Sequence, residues 1–66
     1  MDYKQRVIKE RDELLEKTDA LFLFIHNNPT FSNINDANKS LLREQHGWMS
    51  GYLSVLNQRI ELFEVK

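Results

Sequence analysis

LLREQHGWMSGYLSVLNQRIELF, residues 41–63, is the stretch whose reading decides the fold. Apolar residues recur in it every three or four positions from Leu41 to Phe63, the spacing of an amphipathic helix and not of a strand. Both glycines of the chain, Gly47 and Gly51, fall inside this otherwise helix-forming run. An interior glycine costs a helix about 1 kcal/mol relative to alanine. Residues four apart lie one above the other, so the pair opens a shallow notch, and Ser50 and Ser54 continue the small-residue strip. The strip points away from the main apolar stripe. Such a notch implies close approach by another copy of the chain or by a ligand.

The stripe itself reads Leu42, Gln45, Met49, Tyr52, Leu56, Arg59 and Phe63, a heptad pattern with two polar members. Leu41, Trp48, Val55 and Leu62 widen it on one side, Leu53 and Ile60 on the other. Upstream, Val7, Leu14, Leu21 and Ile25 repeat at helical spacing beside the row Ile8, Leu15 and Phe22, interrupted by Arg11 and Thr18. Charges suited to i,i+4 pairing, such as Lys9 with Glu13, fill the outer face. His26-Asn27-Asn28-Pro29 ends this helix, because proline disfavours helical geometry at the residue before it. Asn35 or Asp36 supplies the cap of the next one.

The expected architecture is therefore all-α. One domain, residues 1–66, forms an antiparallel two-helix hairpin: a helix over about 3–26, a connection over about 27–35 with Phe31 and Ile34 tucked back, and a helix over about 36–64. The apolar arc of the second helix is wider than one neighbour needs, and Ala20–Ile25 is apolar on all sides. The chain has no cysteine, so no disulfide or thiolate metal site supports so small a fold. Both facts predict a homo-oligomeric helical bundle, a dimer or tetramer, with Gly47, Gly51, Phe22, Phe24 and Met49 at its interface.

Composition excludes several functions. Nine Lys and Arg against ten Asp and Glu give no basic excess for binding DNA by bulk electrostatics. The longest apolar run, Ala20–Ile25, is too short for a membrane span, and the charged start shows no signal peptide. A cytoplasmic protein is expected. His26 and His46 lie on different elements without carboxylates at metal-ligand spacing, and the glycines follow no strand as a phosphate loop requires. No catalytic residue, metal site or cofactor is expected, and an enzyme is not.

What remains is binding chemistry. Arg59 beside Tyr52, Val55 and Trp48 either snorkels or pairs with an acid across an oligomer, or else offers a guanidinium to phosphate. Trp48 and Tyr52, four apart, are either core or a stacking platform for a nucleobase. Gln45 either sets helix register or reads a base edge, and Arg11 and Lys39 are further candidates for an anion.

Arg6-Val7-Ile8, Glu13-Leu14, Glu16-Lys17, Leu21, Phe24-Ile25 and Phe31, followed by Leu41-Leu42, Gln45, Met49, Tyr52, Leu56 and Arg59-Ile60, cover nearly the whole chain. This pattern resembles a family of small helical-hairpin proteins of tailed bacteriophages, including those related to crAss-like phages. The second half is the more specific part. Gly47, Gly51 and the asparagine-rich connection depart from it. Such proteins are similar to phage immune-evasion proteins, some of which act as sponges for the cyclic nucleotide signals of host CBASS defence. The resemblance implies a ligand-sequestering oligomer in the bacterial host cytoplasm, binding a cyclic di- or trinucleotide through Arg59, Tyr52 and Gln45. The alternatives are an anti-CRISPR-like inhibitor of a host defence protein, anchored by Trp48, Phe31 and Ile34, and a structural or assembly helper.

Overall fold

Asp2 starts the first helix by accepting a hydrogen bond from the Gln5 amide at 2.8 Å, which satisfies one of the donors that every helix start leaves orphaned. The computed structural model describes residues 2–64 and is all-α. Helix α1 runs over Tyr3–Asn27, α2 over Pro29–Ser32 and α3 over Asp36–Glu64.

Asn28 is held extended (ψ 121°) by the proline after it, which stops α1. Its side chain then accepts from the Thr30 amide at 2.9 Å and, with Pro29 in the first turn, starts α2. This one-turn helix within the connection was not expected from the sequence, because four residues carry no periodicity. Asn35 begins α3, its Oδ1 accepting from the Asn38 amide at 2.8 Å.

The two long helices lie side by side in opposite directions. Tyr3 meets Phe63 edge-on at 5.4 Å between ring centroids, Arg11 bonds to Asn57, and Phe22 lies 5.8 Å from His46. The α3 side of this seam is Leu42, His46, Met49, Leu53, Leu56, Ile60 and Phe63, each buried or half-buried. The expected stripe is corrected at three positions: Gln45, Tyr52 and Arg59 are exposed, and His46, Leu53 and Ile60 stand in the seam instead. Leu42, Met49, Leu56 and Phe63 are common to both series. From each of the first three the next member lies three or four residues on, and the four-residue step reaches the aliphatic Leu53 and Ile60 where the three-residue step reaches Tyr52 and Arg59.

The core is small. Among the described residues only Val7, Phe31, Leu56 and Thr18 are buried. Thr18 is accommodated because its hydroxyl donates to the Leu14 carbonyl one turn back at 2.7 Å. With Cα extents of 49 × 17 × 16 Å, the molecule is one layer of paired helices and has no second layer to cover its faces. Tyr52, Trp48, Leu41, Leu62 and Val55 of α3 are left exposed, as are Ile8, Leu15, Phe22 and Leu23 of α1. No described helix is long and apolar enough to cross a membrane.

Candidate binding face

Moving the seam off Gln45, Tyr52 and Arg59 has a geometric result. These three, with Leu41, Trp48, Val55 and Leu62, form a second row on α3, spaced 4-3-4-3-4-3 and one residue behind the seam. One residue is a turn of about 100° around the helix, so the row faces sideways from the α1–α3 contact. Every member of it is exposed, Trp48 at 71% and Tyr52 at 45%.

Four residues of helix separate Trp48 and Tyr52 by about 6 Å along the axis, so the two rings are neighbours on one face. The Trp48 indole Nε1 donates to Glu44 Oε1 at 3.3 Å, which ties the ring to the helix surface. Gln45 Nε2 meets only the weak acceptor Met49 Sδ, at 3.8 Å, leaving most of its amide for other partners. Arg59 makes no ion pair among the described residues. Aromatic faces, an amide and a guanidinium on one exposed row are the groups that stack on a base, read its edge and meet a phosphate.

The other two candidate ligand residues lie elsewhere. Arg11 sits against α3, where its Nη1 donates to Asn57 Oδ1 at 3.0 Å and its Nε to Asp12 Oδ1 at 2.7 Å. Lys39, in the first turn of α3, is about 170° around the helix from the row. Its Nζ lies 5.7 Å from the centre of the Phe31 ring, which Arg43 also covers at 5.3 Å. Phe31 rests edge-on against Phe24 at 5.9 Å. It is 6% exposed and serves as core, so it does not present the anchor expected of it for a protein partner.

Of the expected interface residues, Phe22, Gly47 and Gly51 are exposed, whereas Met49 lies in the seam and Phe24 packs on Phe31. A Cβ added at Gly47 or Gly51 would meet nothing within 4 Å, and neither glycine has a positive φ. Nothing among the described residues therefore calls for glycine at either position.

Two features were not legible from the sequence. Phe22 stands between His26, at 4.3 Å, and His46, bringing together histidines 20 positions apart. The two cations over Phe31 also meet only because α2 folds back. No group of three or more metal-ligating side chains occurs among the described residues. A shallow open hollow of about 540 Å³ lies along α1 and the connection, lined by Ala20, Leu23, Phe24, Asn27, Asn28 and Pro29, and does not include the α3 row.

The chain belongs to the Sequestin family, whose model matches residues 1–62. No curated protein and no solved structure matches it.

Proposed function

We propose that this Sequestin-family chain is a non-enzymatic sequestering protein: a homo-oligomer of helical hairpins that captures a cyclic di- or trinucleotide on the exposed row of α3. The family's name supports sequestration, and the resemblance to phage immune-evasion proteins supports a CBASS-type signal as the cargo. The observation that carries the reading is the row itself. Trp48 and Tyr52 present open rings, and Gln45 and Arg59 present polar groups not consumed among the described residues. Sequestration needs affinity and abundance and no turnover, in keeping with a sequence that carries no recognised catalytic motif.

The test is native mass spectrometry of the protein with and without a panel of cyclic di- and trinucleotides. Whole ligands added to a symmetric oligomer support the reading. An oligomer that takes none of them overturns it.

A second reading, an inhibitor that docks on a host defence protein, is favoured by one observation: Trp48, 71% exposed beside exposed Tyr52 and two turns from exposed Leu41, is the kind of aromatic anchor that protein interfaces use. Stoichiometric recovery of one host protein on immobilised chain, together with no nucleotide binding, decides for it.

A further inference from the structure

Along one copy of α3, Gln45 and Arg59 are 14 residues apart, about 21 Å, and Trp48 and Arg59 about 16 Å. One base and its phosphate do not bridge such a span. The residues proposed above as one binding set therefore cannot close on a single nucleotide unit within one chain.

Pairing two copies removes the difficulty. We infer that two copies join through the exposed rows of α3, antiparallel about a two-fold axis beside Tyr52, so that each nucleotide site takes Gln45 and Trp48 from one copy and Arg59 from the other. This deepens the proposed function and rests on it for the ligand, though not for the pairing.

Three observations support the pairing. The row is self-complementary. Folded about a point between positions 51 and 52 it sets Leu41 opposite Leu62 and Trp48 opposite Val55, and brings Gln45 within one residue of Arg59 and Tyr52 within one residue of its own copy, as an isologous interface requires. The charges agree: without ligand, Arg59 of one copy also falls opposite Glu44 of the other, giving two equivalent cation–carboxylate pairs that a bound phosphate displaces. On the same side of the molecule α1 presents Glu13 and Lys17, related by symmetry about residue 15. The Arg11–Asn57 bond sets that level beside Leu53, so the same axis matches opposite charges there too.

The area also agrees. A compact monomer of this mass exposes about 4,400 Å², and the chain exposes 5161 Å². The excess, on the order of 700 Å², approaches the ~800 Å² that each partner contributes to an interface of standard size. The row and the seam stand about 100° apart on α3, close to the right angle at which a helix of a four-helix bundle meets its two neighbours.

Because the chain has no cysteine, the pairing can be read by single-cysteine oxidation without any nucleotide. Tyr52→Cys should form a disulfide-linked species of twice the 7.9 kDa chain mass under mild oxidant. Ser50→Cys, exposed on the far side of α3, should stay monomeric on the same gel. Glu44→Arg or Arg59→Glu alone should weaken the dimer severalfold in sedimentation, and the double variant should restore it. Circular dichroism confirms that each variant is helical. Cross-linking at position 50 with none at 52, or a charge reversal that the second fails to rescue, overturns the pairing. A failed pairing removes the shared site, and capture as such is read separately by the ligand panel on the unmodified protein.

Discussion

Arg11 donates to Asn57 across 46 positions of the chain, Nη1 to Oδ1 at 3.0 Å, and the bond fixes how α1 and α3 register against each other. With its second bond, to Asp12, Arg11 is engaged within the chain and lies away from the α3 row. Arg11→Ala should lower unfolding free energy by about 1 kcal/mol, the ordinary net worth of such a bond. Asn57→Ala should act similarly. Urea denaturation checks the loss, and cyclic-nucleotide titration of the same variants should be unchanged.

Among the described residues Leu56 is the single large side chain with no exposed surface at all. Leu56→Ala should cost about 2–5 kcal/mol, a large share of what a domain this size has. Loss of the helical signal at 222 nm at ambient temperature is the expected result. Thr18→Val, at another buried position, should change stability by less than about 1 kcal/mol, because its hydroxyl is bonded only to its own helix.

Gly51→Ala should stabilise the isolated chain. No atom within 4 Å obstructs the new methyl, and the helix gains about 1 kcal/mol in propensity. For a domain of this size that is roughly 4–8 °C in melting temperature. A melt at concentrations low enough to keep the chain monomeric reads it. A midpoint that rises in the dilute monomer but falls at high protein concentration would show that the glycine serves packing the single chain does not contain.

Asn35→Ala should remove the cap of α3 and cost about 1 kcal/mol, while Asn35→Asp should retain it, since a carboxylate accepts the same Asn38 amide and opposes the helix dipole favourably. Thermal melts of the two variants side by side make the comparison.

Arg59→Ala should abolish binding of cyclic nucleotides in isothermal titration and leave helix content unchanged, because the guanidinium is exposed and forms no ion pair among the described residues. Binding that survives the substitution removes Arg59 from the proposed site.

Much of this fold is written locally. The 3.6-residue period, the Asn28-Pro29 break and the cap at Asn35 each act within a few residues, so all-α character, the end of α1 and the start of α3 could be read without knowing what packs on what. The one-turn α2 could not, being too short to show a period. Nor could the choice between two overlapping rows on α3. Leu42, Met49, Leu56 and Phe63 are compatible with either, and the spacing of one helix says nothing about the direction from which its neighbour arrives. Only the packing of α1 settled that Leu53 and Ile60 turn inward and that Gln45, Tyr52 and Arg59 turn out. The same contact took up Arg11, buried Phe31 beneath Lys39 and Arg43, and gathered His26 and His46 around Phe22. Periodicity and chain breaks determine which segments are helices, since both are properties of neighbouring residues. Which face meets its partner, and so which polar side chains remain free to bind, depends on contacts between residues tens of positions apart, and the tertiary structure alone decided it.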